Sequence, residues 1–189
     1  MRVIAGTARR RVLVAPKGSD TTRPTTDRAK EGLFNMLQRD VAGARFLDLY
    51  CGSGAIGIEA LSRGAILATF VECDREALGV LAHNLEHTKL ASQGEVLPMK
   101  VEMAIARMGK EGRQYNIIFM DPPYHGAYIE ETMQMLAEAK MLAEDGMLVV
   151  EKEDRVSQPN TLAFQLLQAR SYGRTEFLFY GLSDGRRIS

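Results

Sequence analysis

No run of about 18 consecutive apolar residues occurs anywhere in the 189-residue chain, so no segment reads as a transmembrane helix. The N-terminus, Met1-Arg2-Val3-Ile4-Ala5-Gly6, lacks the apolar core of a signal peptide, and a cytoplasmic protein is expected. Cysteine is scarce. Cys51 and Cys73 form no metal-type pair and no disulfide framework, so they read as reduced residues and no metal site is expected. No neighbouring sequence offers a base that would make Cys51 a nucleophile. There is no internal repeat, low-complexity tract or long linker, and the length fits one domain with a substantial core. Net charge is zero, so overall basicity gives no argument for a nucleic-acid partner.

The distribution of that charge is more informative. Residues 1–45 hold ten Lys/Arg and four acids, a net of +6, which leaves −6 on the remainder. A basic N-terminal segment on an acidic body is what an RNA-facing arm would look like, and also what a solvated charged hairpin and helix would look like. Val3-Ile4-Ala5 and Val12-Leu13-Val14 flank Gly6 and Arg9-Arg10-Arg11, which suggests a short basic hairpin. Residues 1–25 are therefore expected to form a basic hairpin or arm, and 26–189 the main domain.

From residue 26 onward, strands and helices alternate. Thr26-Asp27 can cap a helix over about 28–39. Strands are expected at 46–50, 68–73, 95–99, 116–120, 147–151 and 175–180. Helices are expected at 54–63, 75–89, 102–111, 129–141 and near 160–169. Pro98 favours an edge position for the third strand, and the last strand can pair antiparallel. Such alternation predicts an α/β fold, a mostly parallel sheet with helices on both faces.

The most distinctive element is Asp121-Pro122-Pro123-Tyr124, directly after the apolar run Ile117-Ile118-Phe119-Met120. Two prolines remove two backbone donors and stiffen the turn, leaving carbonyls free to accept. Asp121 adds a fixed acceptor, and Tyr124 a flat face on which a nucleobase can stack. Together they could hold an exocyclic amino group by its N–H bonds. Upstream, Phe46-Leu47-Asp48-Leu49-Tyr50-Cys51-Gly52-Ser53-Gly54 reads as a strand entering a glycine bend, and Glu72 closes the next strand. A carboxylate at that strand tip can accept the hydroxyls of a ribose. Both Asp48–Gly54 and Asp121–Tyr124 fall at strand carboxyl ends, so adjacent first and fourth strands would merge them into one pocket.

Gly52-x-Gly54-x-x-Gly57 also satisfies the dinucleotide fingerprint, which keeps an NAD-type oxidoreductase as an alternative. Against it, Asp48 puts a negative charge where a pyrophosphate would lie, and hydride transfer has no need of the D-P-P-Y element. A cationic ligand such as S-adenosyl-L-methionine suits Asp48, which can pair with its ammonium group.

With these motifs the sequence resembles the class I S-adenosylmethionine-dependent methyltransferases, and more closely the RsmD-type family, which methylates a guanine N2 in bacterial 16S rRNA. The stretch Thr22-Arg23-Pro24-Thr25-Thr26-Asp27-Arg28-Ala29-Lys30-Glu31, followed by Leu33-Phe34-Asn35, is similar to that family's N-terminal signature. The likeness implies a Rossmann-like seven-stranded sheet with an antiparallel last strand. It implies cofactor contacts from Asp48, Tyr50, Gly52, Ser53, Gly54, Glu72, Cys73, Glu102 and Asp121, and catalysis by Asp121, Pro122 and Tyr124. Relatives usually end the third strand in an Asp that meets the adenine amino group. Lys100 stands in that slot here, so either Glu102 or a backbone carbonyl takes the role. Arg9, Arg10, Arg11 and Arg23 are candidate RNA phosphate contacts. The implied partner is 16S rRNA, within an assembled or assembling small ribosomal subunit, and the protein is expected to be a monomer. Two alternatives share part of this pattern. A DNA amino-methyltransferase would use the same D-P-P-Y but usually carries a larger target-recognition insertion, and a non-catalytic RNA-binding module would not need the motif.

Overall fold

Apolar runs that end in an acid or a glycine form the centre of the sheet. In the computed structural model, which describes residues 1–16, 26–122, 127–159 and 161–183, these are β1 (Arg45–Leu49), β2 (Leu67–Glu72) and β4 (Tyr115–Met120). They are buried almost throughout, as strands covered on both faces must be. β3 (Gly94–Pro98), β5 (Leu142–Glu153), β6 (Phe164–Tyr172) and β7 (Thr175–Leu182) complete a seven-stranded sheet of order β3-β2-β1-β4-β5-β7-β6. β1 pairs parallel with β2 and β4, β3 with β2, and β5 with β4. β7 runs antiparallel to both β5 and β6. The α/β fold with its antiparallel last strand is as expected, and β3 with Pro98 is an edge strand.

Alternation along the strands builds two cores. Phe46, Phe70, Ile117, Phe119 and Val149 face α1 (Asp27–Met36), α2 (Ala55–Ser62) and α3 (Arg75–Thr88). Leu47, Leu49, Ile118, Met120 and Val150 face α4 (Val101–Lys110) and α5 (Ala127–Glu138). Two N-caps hold as expected for their residue types: Thr26 accepts from the Ala29 N–H at 3.1 Å, and Asp74 from Ala77 at 2.8 Å.

Two expectations are corrected. The helix expected near 160–169 is strand β6. Pairing with β7 overrides local preference, and a register irregularity between Leu166 and Gln168 breaks the period-two pattern. The consecutive Leu166 and Leu167 fall at this irregularity and interrupt the apolar–polar alternation that marks a strand. The strand expected at 147–151 begins earlier, at Leu142, so that Gly146 lies inside β5, next to a register shift between Tyr115 and Ile117 of the facing strand.

The N-terminal segment closes as a small hairpin with one antiparallel bridge, Arg2 to Val12. It is fastened to the body. Val3, Ala8 and Leu13 are buried in the core on the α1–α3 side. Glu59 of α2, fully buried, accepts from the Ile4 N–H at 2.7 Å and the Ala5 N–H at 3.0 Å. It also pairs with Arg63 at 2.8 Å and with the buried Lys30 of α1 at 3.5 Å. Burial pushes the Lys30 pKa down, against the pull of Glu59. Ser62 accepts from the Ala8 N–H at 3.0 Å and donates to the Ala5 carbonyl at 2.5 Å.

Candidate active site

Strand order reverses between β1 and β4, since the chain leaves β1 for β2 on one side and returns as β4 on the other. Doubly wound sheets bind ligands beyond the strand carboxyl ends at such a point. A cleft of about 1320 Å³ opens there, lined by Asp48, Tyr50, Gly52, Ser53, Glu72, Cys73, Glu102, Asp121 and Pro122 among others. The glycine bend and the Asp121-Pro122 corner therefore share one cavity. Gly54 stands behind the lining at the N-cap of α2, its N–H on the Cys51 carbonyl at 2.7 Å.

Asp48 is only 1 % exposed, and its Oδ2 accepts from the Gly57 N–H at 2.8 Å. A carboxylate within β1 thus satisfies an otherwise unpaired donor in the first turn of α2. Burial raises its pKa to about 7 despite that hydrogen bond, and the nearby Asp121 and Glu72 add to the rise. Gly57 owes its identity to close packing, because a Cβ there would lie 2.3 Å from the Phe70 ring. Gly52 has a different reason. Its φ of +51° is the left-handed region, and no atom comes within 4 Å of where its Cβ would be.

Glu72 at the tip of β2 ties the bend down. Its Oε2 accepts from the Gly52 N–H at 2.9 Å, and its Oε1 from Cys73 at 2.7 Å and Asp74 at 2.9 Å. Each carboxylate oxygen has about two acceptor positions, so Oε2 keeps one for a ligand hydroxyl. Ser53 is anchored through its carbonyl, which accepts from the Asn84 side chain of α3 at 3.0 Å. The same amide group exchanges hydrogen bonds with the Val14 backbone in the hairpin.

On the opposite wall, Tyr50 holds a left-handed backbone at φ +59°, with its hydroxyl 2.9 Å from Thr132 Oγ1. Its ring lies 5.9 Å from that of Tyr128, and Tyr128 donates to Glu102 at 2.5 Å. That bond holds the Glu102 pKa down and the Tyr128 pKa up. Glu102 therefore presents a charged carboxylate in the first turn of α4, while Lys100 is the exposed residue preceding it. Asp121 stands one residue beyond β4 with part of its surface open to the cleft, and burial raises its pKa well above the usual carboxylate range. Cys51 is buried and its thiol is pushed far up by burial, with Asp48 and Glu72 adding to the effect, so it stays protonated.

Arg9 and Arg10 are exposed in the hairpin, whereas Arg11 donates to the His87 carbonyl of α3. None of the three lines the cleft. Tyr124 and Arg23 lie outside the described residues. Sequence reasoning missed Tyr128, Thr132 and Asn84, whose roles depend on partners 26 to 82 positions away. It also missed Glu151 and Lys152, which line the cleft at the end of β5. Lys152 is held by Glu176 at 2.5 Å and by the Val156 carbonyl at 2.6 Å.

This arrangement coincides with a known family. The family described as "Conserved hypothetical protein 95" matches residues 1–181, nearly the whole chain. The chain belongs to that family, the RsmD family. Ribosomal RNA small subunit methyltransferase D of Escherichia coli K12 is 36% identical over 181 residues, covering 95% of this chain and 89% of the relative. YlbH of Bacillus subtilis is 38% identical over 181 residues, covering 95% and 98%. The solved structure of yhhF from Escherichia coli superposes on this RsmD-family chain with a TM-score of 0.85 at 36% identity, covering 96% and 97%. The fold is thus that of the Rossmann-like methyltransferases.

Proposed function

We propose that this protein transfers a methyl group from S-adenosyl-L-methionine to the exocyclic N2 of a guanine in small-subunit (16S) rRNA. The observation that carries the reading is the placement of Asp48, Glu72 and Asp121 around one cleft at the switch point. The Escherichia coli relative, a ribosomal RNA small subunit methyltransferase, supports rRNA as the substrate class.

The residues present fit such a cofactor. Buried, mutually repelling carboxylates are best relieved by a cation, and the open space over Gly52 lets a ligand approach the backbone. Asp48 would take the ammonium, Glu72 a ribose hydroxyl, and Gly52 and Ser53 the close backbone approach. Cys73 and Tyr50 would flank it, and Glu102 would meet the adenine edge with the oxygen that Tyr128 leaves open. When bound, the cofactor supplies an electrophilic methyl carbon on a sulfonium.

The protein's task is then to position and polarise the amine. An aromatic amine is a poor nucleophile because its lone pair is spread into the ring. Asp121 and the Pro122 carbonyl accept its two N–H bonds and localise the lone pair on nitrogen. Tyr124 stacks on the base once it has left its neighbours. Asp121 can take the released proton, and burial already holds its affinity for one high. Arg9, Arg10 and Arg23 contact phosphates, and Arg11 braces the hairpin. The rRNA is met within an assembled or assembling small subunit, in the cytoplasm, by a monomer. Among the described residues no helix is long and apolar enough to cross a membrane.

The test is Asp121→Ala. It should nearly abolish methyl transfer to small subunits from a strain lacking the protein, while calorimetry still records cofactor binding. Loss of both together would assign Asp121 a folding or cofactor-binding role instead.

A further inference from the structure

Three carboxylates project from the same face of three neighbouring strands, and the mechanism uses only two of them. Asp48 on β1 is in register with Phe119 on β4, and Phe119 with Val149 on β5. Phe46, Phe119 and Val149 all face the α1–α3 side. Side chains two residues apart share a face, so Glu151 follows Val149 on that side. Met120 is in register with Val150, so Asp121 and Glu151 come next, side by side. Glu151 is 6 % exposed and lines the cleft that holds Asp48 and Asp121. Antiparallel pairing with Phe177 of β7 fixes its backbone, so its position belongs to the sheet and not to a loop.

We infer that Glu151 is the residue that selects guanine, accepting the N1–H of the target base while Asp121 and Pro122 accept at N2. This rests on the proposed amino methylation. The chemistry of the edges decides the assignment. Guanine presents two adjacent donors, N1–H and the N2 amine, on its Watson–Crick edge. Adenine and cytosine each present an amine beside a bare ring-nitrogen acceptor. Two adjacent carboxylates match the first pattern and repel the second. A site built to hydrogen-bond a donor rejects the analogue that lacks it strongly, because a carboxylate oxygen then faces the lone pair of a bare ring nitrogen.

The experiment uses the full chain and reconstituted small subunits whose target position carries either guanine or 2-aminopurine, which keeps the 2-amine but has no N1–H. Methyl incorporation is measured as kcat/KM. Wild-type protein should prefer guanine by about 10- to 100-fold, the worth of one hydrogen bond to a charged acceptor. Glu151→Gln can turn its amide N–H toward the bare N1, so the preference should shrink to near unity or invert, while calorimetric cofactor affinity stays unchanged. Equal wild-type rates on the two bases would overturn the inference even if the variant failed to fold. So would a Glu151→Gln protein that loses activity but keeps the wild-type ratio, since that is a structural role. Absence of any wild-type methylation of guanine would instead sink the underlying reading, and this inference with it.

Discussion

Replacing Glu59 by Gln should strip the hairpin from the body, and the size of the effect can be worked from the contacts. The substitution preserves volume but removes the charge opposite Lys30, whose side chain is fully buried 3.5 Å away. Breaking a buried ion pair from one side costs about 3–5 kcal/mol. Lys30 can limit that loss by releasing its proton. From its ordinary pKa of 10.5, neutrality at pH 7 costs about 5 kcal/mol at 1.36 kcal/mol per unit, which gives the same ceiling. The amide oxygen can replace only one side of the carboxylate, so either Ile4 or Ala5 faces a donor and is orphaned, at about 1–3 kcal/mol. The expected total is about 4–8 kcal/mol, a large part of the roughly 5–15 kcal/mol that holds a domain folded. Urea unfolding should register it directly, and Tm should fall by about 8–32 °C for a chain of this size. The deficit should narrow as pH rises toward about 10. With Lys30 depressed in the fold and ordinary when unfolded, the unfolded state binds more protons, and stability climbs with pH. Adding Lys30→Met should restore much of the loss by removing the stranded cation. A deficit under about 1 kcal/mol, or one that ignores pH, would refute the view of Glu59 as the charged node of this interface.

Other outcomes follow from the acidic cleft and the basic hairpin. Affinity for S-adenosylhomocysteine should drop by up to about tenfold per pH unit below 7, because Asp48 must be ionised to hold the ammonium; a flat calorimetric profile between about pH 5.5 and 8 would contradict this. Asp48→Asn keeps an acceptor for the Gly57 N–H but removes a carboxylate whose folded pKa is raised. Because that raised pKa lowers stability as pH climbs from about 4 through 7, the variant should melt higher than wild type at pH 8 while losing cofactor affinity; a lower Tm would show the charge to be structural. Replacing the exposed Arg9 and Arg10 with Ala should weaken RNA binding and reduce the steepness of its salt dependence by up to about two units. An unchanged slope in a filter-binding titration would take the hairpin off the RNA surface.

The central sheet and the cleft were legible because their signals are local. An apolar run ending at Asp48, Glu72 or Asp121 announces both a buried strand and the chemistry at its tip, and the left-handed Gly52 marks the bend between. β6 was illegible for an equally local reason, since the consecutive Leu166 and Leu167 break the alternation at the point where the pairing with β7 is irregular. The Tyr128–Glu102 bond and the Glu59 node were illegible because they join residues 26 and 54 to 55 positions apart. An isolated acid in an apolar helix carries no mark of which amides it will meet. Lys100 is instructive in another way. The sequence leaves open which group would make the proposed adenine contact, and the fold sets Glu102, two residues later at the start of α4, on the cleft beside Tyr128.

The carboxamide of Asn84 reaches in two directions at once, toward Val14 near the start of the chain and toward Ser53 beside the cleft. Whatever grips the first fifteen residues therefore tugs on the same handle as whatever fills the glycine turn. If occupancy at one end shifts that amide, affinity at the other changes by the same factor in both directions. Under the proposed function, those two ends would be a large ribonucleoprotein and a small sulfonium nucleoside, joined through one side chain.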